Sequence, residues 1–207
     1  MLDRDEASPA SSGAGYRQSG AFMQAAGQAI ENPISGERIV IRRTAAQTGG
    51  AALVWELTLA PGGKVPSSHA HPSQEERFTV LAGQMRFRVG RRRVTAAAGD
   101  TVRVPPGTVH HFANAGPSAA RLLVETRPAL GMAELLATAA ALAADQHAAA
   151  RSLPRPLDLA LFMRDFEREV RAPYLPAALV SRAAAALAGL AARRGLDARY
   201  RRLRAPA

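Results

Sequence analysis

The 207-residue chain is 47% hydrophobic, enough for one substantial domain with an appendage or for two small domains. It contains no cysteine, which excludes a disulfide framework and a thiolate metal site. Its formal charge of +10 is almost entirely arginine, Lys64 being the only lysine; with no nucleic-acid motif and no interleaved aromatics, that charge does not point to a nucleic-acid partner.

The first residues, MLDRDEASPASSGAG, are acidic and then small and polar. They lack the basic start and apolar centre of a secretory signal, and no apolar run long enough to span a bilayer follows. The expectation is a soluble cytoplasmic protein without membrane contact. Residues 1–20 form an arm with too little apolar surface to fold alone. Residues 21–31, AFMQAAGQAIE, read as a short helix ended by Asn32-Pro33, within a lead-in that extends to residue 37.

From Arg38 to Arg127 the pattern changes to short β segments punctuated by Gly, Pro and Asp. In LVWELTL (53–59), Leu53, Trp55, Leu57 and Leu59 share one face, opposite Glu56 and Thr58. MRFRV (85–89) repeats this with Met85, Phe87 and Val89 opposite Arg86 and Arg88. VGRRRV (89–94) reads as a hairpin turn, and TVRV (101–104) and RLLVET (121–126) complete a set of short strands that predicts a β-sandwich or barrel. From Pro128 to the end, alanine and leucine recur at helical spacing. Helices are expected over about 132–150, 156–172 and 176–194, separated by Pro154, Pro156, Pro173 and Pro176. The middle one carries an apolar stripe of Leu161, Met163, Phe166 and Val170. The arginines of RYRRLR (199–204) are expected to be a solvated tail.

Two clusters carry chemistry. In HAHPSQEERFTVLAG (69–83), His69 and His71 occupy i and i+2 of an extended segment and face one space. Beyond the Pro72-Ser73 turn, Glu76 has the parity of Phe78 and Val80 and points inward with them, whereas Glu75 points outward toward an arginine partner. A carboxylate turned into an apolar interior is costly unless compensated, and a cation shared with two imidazoles is the simplest compensation. In GDTVRVPPGTVHHFAN (99–114), His110 and Phe112 share a face, so His110 can supply a third imidazole; His111 lies on the other face, at a rim. A structural polar cluster without metal is the alternative to this reading. His147 stands alone in an alanine-rich helix and is expected to face solvent.

These two stretches resemble the paired motifs of the cupin superfamily. Gly63, His69, His71, Glu76 and Gly83 have the spacing of the first motif, and Gly99, Pro105, Gly107, His110 and Asn114 that of the second. The resemblance covers residues 38–126 and implies a mainly β fold, a double-stranded β-helix (jelly-roll) barrel over 38–127; the α-helical extension over 128–207 is expected from its helical spacing alone. It implies metal ligation by His69, His71, Glu76 and His110, with a divalent transition metal as cofactor: Fe or Mn favoured, Zn, Ni, Co or Cu possible. It also implies a small-molecule substrate or ligand and a homodimer. Dioxygenase-like chemistry is the leading expectation; isomerase or cyclase chemistry, or a non-catalytic binding or sensor role, are the alternatives. The catalytic residues beyond the ligands are not identified by sequence, and the helical third receives no role from the motifs.

Overall fold

The computed structural model describes residues 27, 29–65, 67–149, 155–173 and 176–204. Nine strands lie among them: β1 (Ala29–Asn32), β2 (Glu37–Arg43), β3 (Leu53–Leu59), β4 (Glu75–Ala82), β5 (Gln84–Val89), β6 (Arg92–Ala97), β7 (Thr101–Val104), β8 (His110–Asn114) and β9 (Ala120–Arg127). They form a six-stranded antiparallel sheet in the order β1-β2-β3-β9-β4-β7 and a three-stranded sheet in the order β6-β5-β8. On the free side of β8, Lys64 bridges Ala113, Val65 N–H bonds to Phe112 O, and His69 exchanges two backbone bonds with His110. This is the mainly β jelly-roll barrel implied by the motifs, followed by the helical extension expected from spacing.

Alternation of side chains builds the interior. In β3, Leu53, Trp55, Leu57 and Leu59 are buried, while the residues between them are partly exposed. Trp55 stands opposite Val124 and Leu57 opposite Leu122, so two inward rows meet on one face of the large sheet. The small sheet contributes Met85, Phe87 and Phe112 to the same core. Phe78, Phe87 and Phe112 form a triangle with ring centroids 5.3 to 5.9 Å apart, tying β4 to the small sheet. Tilted aromatic pairs at such distances add attraction beyond the area they bury. The outward face of the small sheet differs sharply: β5, β6 and β8 contain no acidic residue, and Arg88 lies in register with both Arg93 and His111.

The expected helix over 21–31 is not the conformation at its C-terminal end. Residues 29–32 form β1, paired with β2, and Asn32 makes the turn, its Oδ1 accepting the N–H groups of Ile34 and Ser35. Buried Ile30 and Asn32 alternate with exposed Ala29 and Glu31, a two-residue period that four residues were too few to declare. Most of the rest of that stretch and the whole 1–20 arm lie outside the described residues.

Four helices follow: α1 (Met132–Ala148), α2 (Pro156–Asp165), α3 (Ala177–Arg193) and α4 (Ala198–Arg204). Met132, Leu135 and Ala140 of α1 join the barrel core together with Ile30 and Phe166, so the extension shares the barrel's interior. A smaller core of Leu161, Ala188 and Tyr200 joins α2, α3 and α4. Helix α2 stops at Asp165 rather than continuing to residue 172. Phe166 leaves helical geometry and inserts into the barrel core, and Arg171 pairs with Ala70 as a β-bridge. Tertiary pairing overrides a helix propensity that nothing in the local sequence interrupts. The arginine-rich end is likewise not a solvated tail: it is α4, where Arg199 pairs with Asp145 of α1 and Asp158 of α2, and Arg204 with Glu134 and Asp165. Tyr200, 1% exposed, anchors that helix.

Gly83 makes the β4–β5 turn with φ +82°, and a Cβ there would lie 2.9 Å from Ala120 Cα. Left-handed backbone and lack of space act together, so Gly83→Ala should destabilise the barrel by about 1–3 kcal/mol. Urea unfolding checks this; an unchanged midpoint would mean that the turn relaxes freely.

Candidate metal centre

The candidate site lies inside the barrel between the two sheets. Glu76 is the second residue of β4, flanked in register by Thr126 of β9 and Val104 of β7. Its parity with Phe78 and Val80 turns it inward, where it is 3% exposed, while Glu75 turns out and pairs with Arg103. His110 opens β8 opposite His69, and the extended backbone brings His71 to the same side as His69. The ligand atoms offered by His69, His71, Glu76 and His110 all lie within 4.8 Å of one another. Three of the four residues are buried, and His69 is half-buried. The imidazoles pack on each other, with ring centroids 4.4 Å apart for His69 and His110 and 5.0 Å for His69 and His71.

Hydrogen bonding assigns the ring nitrogens. His69 Nδ1 meets Ser67 O at 3.0 Å, His71 Nδ1 meets Glu169 O at 2.5 Å, and His110 Nδ1 meets Thr108 O at 3.0 Å. A carbonyl only accepts, so each Nδ1 carries the proton and donates it, leaving Nε2 of the neutral ring as a lone pair. Those lone pairs face one another and Glu76. Glu76 Oε2 stands 3.1 Å from His110 Nε2 and 3.2 Å from His71 Nε2. The His71 contact has ion-pair distance without hydrogen-bond alignment, so this buried nitrogen is left without a hydrogen-bond partner. A set of acceptors converging without a donor is stable only if a proton or a cation sits among them. Imidazole nitrogens and a carboxylate are the donor set that divalent transition metals take, so the residues fit such an ion.

The electrostatics point the same way. Burial presses on all of these groups, and each responds differently. Loss of solvent, aided by the neighbouring His110 and His71, pushes His69 down to about 4, so it is neutral. For His71 burial acts downward, but the nearby Glu76 charge and the hydrogen bond to Glu169 O outweigh it and raise its pKa. Burial alone would raise Glu76, yet His71 and His110 together hold it well below the usual carboxylate range. The carboxylate is therefore charged inside the barrel, which requires a proton on His71 or a cation beside it.

Two further residues hold Glu76 in place. Thr126 Oγ1 donates to Glu76 Oε1 at 3.4 Å, and Trp55 Nε1 donates to Thr126 Oγ1 at 3.2 Å. Sequence reasoning placed Trp55 in the core but gave neither residue a part in the site. The signal was present, since Thr126 is a polar residue in the inward series of Leu122 and Val124. His111 lies outside the cluster and meets Ser68 Oγ at 3.1 Å, and His147 is exposed. The helical third, given no role by the motifs, supplies the carbonyl that fixes His71.

Residues 55–125 match the family model of the Cupin domain. With both motifs complete on this barrel, this part of the chain is a cupin domain. No curated protein matches it in sequence. Among solved structures, it is similar to the cupin domain of Schizosaccharomyces pombe Cnp3, with 15% identity and TM-score 0.41; the match covers 44% of this chain and 61% of that one, so this chain spans less than two thirds of it. A protein from Thermus thermophilus is 30% identical over 39% of this chain and 75% of its own, with TM-score 0.37. A predicted oxalate decarboxylase from Thermotoga maritima is 23% identical over 51% of this chain and 94% of its own, with TM-score 0.45.

Metal content per chain after one common purification separates ligands from neighbours. His69→Ala, His71→Ala, His110→Ala and Glu76→Gln should each lose most bound metal, whereas Glu75→Gln and His111→Ala should keep it. Loss in Glu75→Gln with retention in Glu76→Gln would reverse the inward and outward assignment of β4.

The metal-free protein should also lose stability as the pH falls from about 6.5 toward about 4. In that window the unfolded His69 takes up a proton while the folded one, lowered to about 4, does not. His71 acts oppositely, because its raised pKa gives stability fully present below 6.5 and lost only at higher pH. It therefore contributes no slope within the window. Denaturant midpoints across it test the sign; a rise on acidification would contradict it.

Proposed function

We propose that this chain is a metal-dependent cupin acting on a small molecule, with His69, His71, Glu76 and His110 holding a divalent transition metal. Fe or Mn is favoured over Zn, Ni, Co and Cu, and oxygenase-type chemistry is the leading reaction class. The observation that supports it most is the pinning of three Nδ1 atoms by carbonyls, which leaves three Nε2 lone pairs and one carboxylate oxygen facing one point. A metal bound there supplies Lewis acidity and, for Fe or Mn, one-electron redox capacity.

The chain's own groups shape what such a centre does. Glu76 offsets part of the ion's charge, and Thr126 with Trp55 keeps its carboxylate in one orientation. Phe78, 6.5 Å from the His110 ring, provides an apolar wall that keeps bulk water from the interior side. His69 is the most exposed member, so a small molecule approaches on its side.

A non-catalytic binding or sensor role is the second reading. It is favoured by the absence, among the described residues, of a fifth His, Asp or Glu in the cluster that could act as general acid or base.

Metal analysis of protein purified without added metal or a nickel-affinity step, followed by O2 uptake with candidate small molecules, distinguishes them. Fe or Mn with metal-dependent O2 uptake supports the oxygenase reading, and Zn without it shifts the reading to isomerase or cyclase chemistry. A chelator that lowers only the melting temperature favours the sensor role. Metal-free protein that cannot be loaded would end the metal reading altogether.

A further inference from the structure

We infer that Glu169 is a positioning residue for the metal centre, and that through it metal binding is coupled to the docking of the helical extension on the barrel. This inference rests on the metal reading above. His69 and His110 draw their Nδ1 acceptors from two residues back in their own segments, Ser67 and Thr108. His71 differs. Its acceptor is the main-chain oxygen of Glu169, 98 positions away on the segment that leaves α2. The orientation and tautomer of one imidazole in the cluster are therefore set by the extension.

That carbonyl is held from three directions. On one side, Phe166 is 2% exposed in the barrel core, and the N–H groups of Glu169 and Val170 both bond to its carbonyl, at 3.0 and 2.8 Å. On the other, Arg171 exchanges two backbone bonds, 3.2 and 2.8 Å, with Ala70, the residue between the two histidines. The third anchor is the Glu169 side chain itself, whose Oε1 accepts the Gly131 N–H at 3.0 Å at the start of α1. Glu169 is 6% exposed, and a Cβ on Gly131 would come within 3.1 Å of that oxygen, so the two segments meet closely there. One residue thus caps α1 with its carboxylate and orients His71 with its carbonyl.

An ion on His71 Nε2 fixes the ring, and the ring fixes the carbonyl. By linkage, loosening the segment weakens the ion by the same factor that the ion steadies the segment. Outer hydrogen-bond partners of metal-bound imidazoles commonly change affinity by about 10- to 100-fold.

The test uses the full chain and Co(II) alone as probe. Metal-free wild type, Glu169→Ala and Glu169→Gln are titrated while the visible ligand-field spectrum is followed. Backbone hydrogen exchange over 166–172 is measured with and without Co(II). In the wild type Co(II) should slow exchange at the Val170 and Arg171 amides. Glu169→Ala should bind Co(II) about 10- to 100-fold more weakly, with a shifted spectrum and no metal-dependent protection. Glu169→Gln keeps an acceptor for Gly131 and should restore affinity and spectrum, a rescue that general loss of fold would not give. If Glu169→Ala does not fold, wild-type exchange and Glu169→Gln decide. Wild-type affinity and spectrum in Glu169→Ala, or exchange indifferent to Co(II) in the wild type, overturns this inference alone. A wild type that takes up no Co(II) overturns it together with the metal reading.

Discussion

A charged carboxylate inside an apolar barrel is the constraint on which the rest of this structure depends. Glu76 is 3% exposed and ionised, and beyond the Thr126 hydroxyl the barrel wall offers it hydrocarbon in place of solvent. Three imidazoles converge on it with their outer nitrogens already committed to carbonyls, so their inner nitrogens bring lone pairs rather than protons. The arrangement is incomplete without positive charge, whether a proton on His71 or a metal ion. Both satisfy the same geometry.

The barrel is organised around that need. β4 presents Glu76 between β9 and β7, and the β9 neighbour in register is the threonine that steadies it. The aromatic triangle of Phe78, Phe87 and Phe112 fixes the spacing of the two sheets, and with it the distance across which His110 and His69 face Glu76. The extension is bound into the same unit, because Phe166 and Met132 belong to the barrel core. Its outer ion pairs, Arg199 to Asp145 and Asp158, hold the helices to one another rather than to the site.

Much of this was legible in the sequence because short strands write their burial at a period of two. The inward rows of β3, β5 and β9, the opposite facing of Glu75 and Glu76, and the separation of His110 from His111 all follow from parity. Four residues of β1 were too few to display that period, and their alanine-rich approach read as helix. The end of α2 was hidden for another reason. Residues 156–172 keep helical spacing throughout, and only the bridge to Ala70, remote in sequence, makes the chain leave the helix at Phe166. The part played by Glu169 in the site had no signature at all, since a main-chain carbonyl is the same at every residue. The arginines of α4 looked like a tail because their acidic partners lie on other helices.

The arginine-rich face of the small sheet bears on how copies of the chain can meet. β6 is an edge of that sheet, and an edge strand offers unpaired backbone groups to any neighbour. Arg92 and Arg93 are both exposed on it, Arg88 stands beside Arg93, and no carboxylate on the three strands offsets them. A second copy brought edge to edge would set these cations against their own equivalents, a repulsion felt before any backbone bond could form. These unopposed arginines thereby guard the β6 edge against growing into a continuous sheet.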